Sequence, residues 1–214
     1  QWQEARRFDG RAQHVVVPHA PAWLRGGGTL VVDLTADRVQ GIQGIVSKDA
    51  RGFGDGGHLL VSLDGAKVVA RLQDRQADYA VQSAADAVKR GVPVRVALAF
   101  GPGGMRLYLD GRPVAANAFA GGLEGNQEPL VIGARDWASA PRAADNPDAF
   151  FAGTVRAIAL YDPPLDNAAM AALGAAGTPL GEVASASPPP AAPVATEPQP
   201  VQIVILEDRT LDIK

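Results

Sequence analysis

Apolar residues in this chain come in short runs, broken by glycine, aspartate, asparagine and proline. Runs rich in Val, Leu, Ile and Thr occupy 14–18, 29–35, 44–47, 58–63, 67–72, 78–83, 94–100, 105–109, 130–133 and 153–161. Where the runs are densest they recur at about 8 to 12 residues, which predicts successive short strands in a sandwich or barrel. Within the runs the period is two. Leu59, Val61 and Leu63 are answered across Asp64-Gly65 by Val68, Ala70 and Leu72, the pattern of a hairpin closed by a glycine at positive φ. Asp110-Gly111 repeats the arrangement. Before it, Met105, Leu107 and Leu109 alternate with Arg106 and Tyr108, predicting one dry face and one that can meet solvent. Val94, Val96, Leu98 and Phe100 share one phase, while Arg95 opens the other and Ala97 and Ala99 keep it small. Helical character is confined to 166–173, where Asp166 can cap the first free amides and Gly174 can end the turn.

Composition then limits what such strands can build. The chain has 214 residues and 22.2 kDa, with 47% hydrophobic and 20% charged residues, enough for one substantial core and crowded for two. Aromatics are 6%, so Val, Leu, Ile and Ala must fill the interior. The net charge of -3 and the lack of any Lys/Arg run argue against a nucleic-acid partner. The absence of cysteine excludes disulfides, thiol nucleophiles and thiolate metal sites. No stretch reaches the length of a membrane span, so no membrane insertion is expected. No basic-then-apolar leader precedes Gln1, which implies a removed signal peptide or a start inside a longer chain. After Gly181 the character changes. The expected organisation is a domain over 1–180, a Pro/Ala-rich linker over 181–200 that favours extended polyproline structure, and a tail over 201–214. The run VQIVIL at 201–206 reads as a strand that pairs with a sheet edge or begins a further domain, since left unpaired it is an aggregation hazard.

Four segments, in order, resemble the laminin-G-like and concanavalin-A-like lectin jelly-roll family. They are Phe8-Asp9-Gly10 leading into VVVP, GIVSK at 44–48, VRVALAFGPGGMRLYLDGRPV at 94–114, and LVIGAR at 130–135 followed by FFAGTVRAIALYDPPLDNAAMAAL at 150–173. The resemblance implies an all-β, two-sheet antiparallel jelly-roll sandwich with one short C-terminal helix. It also implies a secreted or cell-surface recognition module of bacterial type. The chain departs from the family pattern at Val92-Pro93-Val94, where Trp-His is common, and at Arg156-Ala157, where an acidic pair is frequent. The second departure removes the acids of the family's recurrent calcium site.

The sequence gives little sign of catalysis. Glycoside hydrolysis needs two carboxylates flanking the bond, and the related glucanases present them in an E-x-D-x-E spacing. Glu stands only at 4, 124, 128, 182, 197 and 207, with no such spacing, and Glu124 and Glu128 read as solvated loop charge. His14, His19 and His58 lie beside no G-x-S-x-G turn or H-x-x-x-H pair. His14 and His19 are expected at the surface, and Trp2 and Trp23 in core or edge packing. The expected activity is therefore non-catalytic.

Two long loops could hold a ligand. Loop 49–58 carries Asp55 and His58, and loop 136–148 carries Trp137, Arg142, Asp145, Asn146 and Asp148. An aromatic face beside planar carboxylate and amide groups is chemistry that holds a sugar. Equally, Trp137 could fold back over the sandwich edge while the Asp-Asn-Pro segment caps turns. No cofactor is required, although Asp145 and Asp148 could supply oxygen ligands to Ca²⁺. The expected partner is a glycan in carbohydrate binding or adhesion. The alternative is another extracellular protein, in a surface, appendage or virion assembly built through the 201–206 strand; a glycoside hydrolase ranks last.

Overall fold

The structure, a computed structural model, describes residues 5–50, 52–136, 147–178, 180 and 199–201. In chain order its strands are β1 (Arg6–Asp9), β2 (Val15–Val17), β3 (Gly28–Ala36), β4 (Ile42–Lys48), β5 (His58–Asp64), β6 (Lys67–Gln73), β7 (Asp78–Gln82), β8 (Pro93–Phe100), β9 (Met105–Leu109), β10 (Arg112–Asn117), β11 (Leu130–Ile132), β12 (Ala152–Asp162) and β13 (Gln199–Val201). The helix α1 spans Asn167–Leu173, after a cis Asp162–Pro163 peptide. One sheet runs β1-β12-β3-β8-β9-β10, with β13 also paired to β12, and the other runs β2-β11-β4-β5-β6-β7. Every strand pairing is antiparallel, which gives the expected jelly-roll sandwich with its short helix.

The period-two pattern decides which residues lie between the sheets. Leu59, Val61, Leu63, Val68, Ala70 and Leu72 from one hairpin meet Leu30, Val32, Val96 and Leu98 of the facing sheet in a single buried cluster. Each such aliphatic side chain contributes about 1.5–3 kcal/mol when fully withdrawn from water. Trp23 lies in this cluster too. Asp64 pairs with Lys67 across a turn with Gly65 at φ 63°, as the sequence predicts. At the second turn both Asp110 and Gly111 have positive φ, 48° and 78°, the twist that suits a two-residue hairpin. A Cβ on Gly111 would stand 2.7 Å from the Met170 carbonyl, so the glycine also admits the helix.

The helix changes the expected exposure of one strand face. The second phase of β8 and β9 meets solvent only at Arg106, because α1 and the chain after it lie across the rest. Tyr108 is fully buried there with Val31, Ala97, Ala99, Tyr161, Met170 and Leu173, and its hydroxyl donates to Asn167 Oδ1 at 2.8 Å. The small alanines leave room for this cover. Arg95 is buried as well and grips Asp33 through Nε–Oδ1 at 2.6 Å and Nη2–Oδ2 at 2.7 Å. Its remaining donors reach the Leu173 and Thr178 carbonyls. Asp166 caps the helix by accepting from the Ala169 amide, and the Gly174 amide bonds back to Ala171 and Met170. His14 is buried rather than at the surface, with its ring 6.0 Å from that of Phe150, and His19 is half-buried. Strands β1 and β10 fall outside the apolar runs because half or more of their residues are polar or exposed.

Candidate functional site

With α1 over one sheet, the outer face of the β2-β11-β4-β5-β6-β7 sheet is where two loop ends meet. Opposed residues on antiparallel neighbours share a face. Register places His58 opposite Gln73 and Gln73 opposite Asp78, and one step along Ser47, Leu60, Arg71 and Ala80 form a second row. Because Val68, Ala70 and Leu72 take the core phase of β6, Arg71 must take the outer one.

Asp49, the residue after β4, lies at the centre of this face. Its Oδ1 accepts the Ala50 amide at 2.9 Å and lies 3.5 Å from His58 Nδ1, while Oδ2 pairs with Arg71. Arg71 also reaches Asp78 at 3.1 Å, so one guanidinium holds two carboxylates. The Asp49 side chain is 0% exposed. Burial pushes its pKa up to about 6, against the pull of Arg71 and His58. His58 faces inward, hydrogen-bonded through Nδ1 to Gln73 Oε1 at 3.0 Å, and is 4% exposed.

The second loop is rooted beside the first. Asp136 donates its amide to Ser47 Oγ at 3.2 Å. Arg135 and Asp148 pair backbone to backbone at 2.9 and 2.8 Å. Their side chains also form a two-pronged ion pair, with Nε–Oδ1 and Nη2–Oδ2 both at 2.7 Å. Asp148 holds the Arg135 guanidinium above its ordinary pKa, and Asp49 adds to the effect. Gly44 makes the approach possible, since a Cβ there would collide with the backbone of Ala134 and Arg135.

A buried lysine fixes the base of loop 49–58 from the other side. Lys48 Nζ donates to Asn126 O at 2.9 Å, Asn126 Oδ1 at 3.1 Å and the Glu128 carbonyl, and lies 3.3 Å from His19 Nδ1. Burial lowers its pKa to about 8, opposed by Glu128, and burial and Lys48 lower that of His19. Asn126 returns two bonds of 2.7 Å to the Lys48 and Gly57 carbonyls, clamping both ends of the loop. Glu128, expected as solvated charge, is buried here because the segment folds onto Lys48; Glu124 is exposed.

The sequence candidates therefore separate. Asp148 and His58 belong to this face. Asp55 sits away from it, 73% exposed and 3.5 Å from Arg75. Trp137, Arg142, Asp145 and Asn146 lie outside the described residues, as does Trp2. Of the two expected calcium ligands, Asp148 directs both oxygens at Arg135, and Asp145 lies outside the described residues. Arg71, Asp49, Asp78 and Arg135 are additions that the sequence reading missed. The polar phase of β6 and β7 was the available signal for Arg71 and Asp78, but only register joins them to Asp49.

The chain matches, over residues 9–170, the family model described as the concanavalin A-like lectin/glucanases superfamily. No curated protein matches it in sequence. Among solved structures it is similar to a carbohydrate-binding module of the Ruminococcus gnavus IT-sialidase bound to α2,3-sialyllactose, at 14% identity and TM-score 0.61, covering 80% of this chain and 98% of that one. A K499G mutant of NanB sialidase from Streptococcus pneumoniae aligns at 10% identity and TM-score 0.63, over 82% of this chain and 28% of that one. Mouse laminin α1 domains LG4-5 align at 14% identity and TM-score 0.56, over 74% and 40%. At these identities the likeness is one of fold.

Proposed function

This chain belongs to the concanavalin A-like lectin/glucanases superfamily, and from that premise we propose that it is a non-catalytic, extracellular carbohydrate-binding module that acts in recognition or adhesion. Its ligand face is the outer side of the β4-β5-β6-β7 strands, at the stems of loops 49–58 and 136–148. The observation that carries this reading is the convergence of the two loop stems, Asp49 and His58 with Arg135, Asp136 and Asp148, on one polar face. Arg135 and Asp148, with side chains 22% and 48% exposed, are the planar groups that can meet sugar hydroxyls, while Asp49, His58 and Asp136 are buried and hold the stems; Trp137 follows directly in the sequence. The printed ligand of the Ruminococcus gnavus module, sialyllactose, supports the class of ligand.

The charge balance argues for a neutral glycan over an anionic one. Leaving out the outlying Asp55, loops 49–58 and 135–148 together with Arg71 and Asp78 carry five aspartates against four arginines, and both Arg71 and Arg135 are engaged by carboxylates. A non-catalytic role is supported by Asp49. It is the perturbed carboxyl of the face, yet its side chain is 0% exposed, so it cannot reach a glycosidic oxygen.

A glycan array of matched sialylated and desialylated ligands, probed with wild type and Trp137→Ala, tests the reading. Wild type is expected to prefer the desialylated member, and Trp137→Ala to bind about tenfold or more weakly. Silence on every glycan would overturn the function, and unchanged binding by the variant would overturn the loop assignment.

A further inference from the structure

One end of the sandwich holds a buried amine against a buried carboxamide. Lys48 closes β4 and Asn126 lies in the segment before β11, with 0% and 1% of their surfaces exposed. Lys48 Nζ stands 3.1 Å from Asn126 Oδ1. Adding a C=O bond of about 1.23 Å puts the amine nitrogen no more than about 4.3 Å from Asn126 Cγ. The two residues are 78 positions apart in sequence, in a chain with no cysteine to staple distant segments.

The groups around them are those that transfer of an acyl group to an amine requires. Four acceptors surround Nζ: the Asn126 carbonyl and Oδ1, the Glu128 carbonyl, and His19 Nδ1 at 3.3 Å. An ammonium has only three protons, and of these acceptors only the imidazole can carry one away. Asn126 Oδ1 also accepts the Glu128 amide at 2.9 Å, a donor already in place for the negative charge that oxygen gains when Cγ is attacked. Nδ2, the departing group, is held by the Lys48 and Gly57 carbonyls, each at 2.7 Å. Burial lowers the Lys48 pKa to about 8 against the pull of the Glu128 carboxylate, and burial and Lys48 lower that of His19. The ammonium thus gives up a proton more readily than a solvated lysine, which is how burial activates a lysine nucleophile.

We propose that Lys48 and Asn126 join in an intramolecular isopeptide bond, with His19 as the proton carrier, and that the structure shows the pair before reaction. Nζ gives a proton to His19 Nδ1, and its freed electron pair forms a bond to Cγ while the C=O π pair moves onto Oδ1. His19 returns the proton to Nδ2, the pair on Oδ1 re-forms the carbonyl, and the Cγ–Nδ2 bond breaks. The extra proton on the new amide nitrogen passes to the released ammonia, which leaves as ammonium. Nothing is oxidised or reduced, and no co-reactant is needed. An amide is a poor electrophile, but the reaction has to occur only once in each molecule. Holding the two groups together in a dry site supplies effective molarities of about 10⁵–10⁸ M when the approach is well oriented. The rival is a permanent ammonium that only clamps loop 49–58. The product would fix the end of β4 covalently to the segment before β11, closing a long loop as a disulfide would.

Tandem mass spectrometry of the digested full chain tests the proposal, with the linked fraction followed over time from the first hours after synthesis. The expected product is a branched peptide that joins Lys48 to Asn126 and lacks one ammonia. Lys48→Arg and Asn126→Ala should not yield it, and neither should wild type kept unfolded in urea. His19→Gln should form it at least about tenfold more slowly, and an unchanged rate there would overturn the part given to His19. Folded wild type that holds both side chains unlinked after prolonged incubation at mildly alkaline pH overturns the proposal. So does an ammonia loss that maps to a cyclised Gln1, or to a ring within Asn126-Gln127, with Lys48 left free.

Discussion

Arg95→Met removes the charge at the centre of the α1 cover while keeping an apolar stem of similar reach. In the native protein the guanidinium is fully buried and meets Asp33 with two bonds of 2.6 and 2.7 Å. It also supplies donors to the Leu173 and Thr178 carbonyls. The variant would leave the Asp33 carboxylate, itself 3% exposed, without its partner. Losing one member of a buried pair typically costs about 3–5 kcal/mol, because the remaining charge has neither water nor counter-ion. The two carbonyls add to that cost if α1 cannot shift to expose them. Against the about 5–15 kcal/mol of a typical domain, this is a large fraction. Two further variants keep the test sharp if Arg95→Met fails to fold. Arg95→Lys retains charge but not the planar two-pronged grip, and should fall between wild type and Met. Asp33→Asn/Arg95→Met removes the stranded carboxylate and should recover at least about 1 kcal/mol of the single-variant loss. Urea unfolding followed through Trp23 fluorescence measures all three. A loss below about 1 kcal/mol in Arg95→Met, or a double variant less stable than Arg95→Met, would refute the reasoning.

Further outcomes follow from the buried groups of the other sheet. The native pKa of Asp49, about 6, lies above its ordinary value of 3.8, so the folded state holds that proton more tightly than the unfolded chain. The group's stabilising contribution is full below pH about 4 and is lost as pH rises to about 6, by up to about 3 kcal/mol. Asp49→Asn should flatten the stability profile in that window, as read by urea midpoints across pH. Lys48→Met strips donors from the Asn126 and Glu128 carbonyls and should cost about 1–3 kcal/mol. Faster amide exchange at Gly57 and His58 should accompany it, whereas a wild-type melting temperature would count against the clamp.

Much of the sandwich was legible before any coordinates because its strands have one face in the core. Period two in Leu59, Val61, Leu63 and in Val94, Val96, Leu98 reports a dry face directly, and Asp64-Gly65 reports the turn that joins two such strands. Polar residues carry no equivalent label. Arg95, Tyr108 and Arg71 all occupy the polar phase of their strands, and sequence alone treats the three alike. Tertiary structure separates them: α1 covers Arg95 and Tyr108, while Arg71 lies on the other sheet between Asp49 and Asp78. His58 illustrates the same limit from the other side, since nothing in the sequence near it points to its partner Gln73, fifteen residues on.

What the sequence determined by itself was the alternation, the turns and the helix caps, all set by local sterics and by the free energy of hiding apolar surface. Only the folded chain decided which polar side chains the helix covers and which meet across strands, because that depends on register between strands distant in sequence and on where one seven-residue helix comes to rest. The meeting of Asp49, Arg71 and Arg135 is a product of that register.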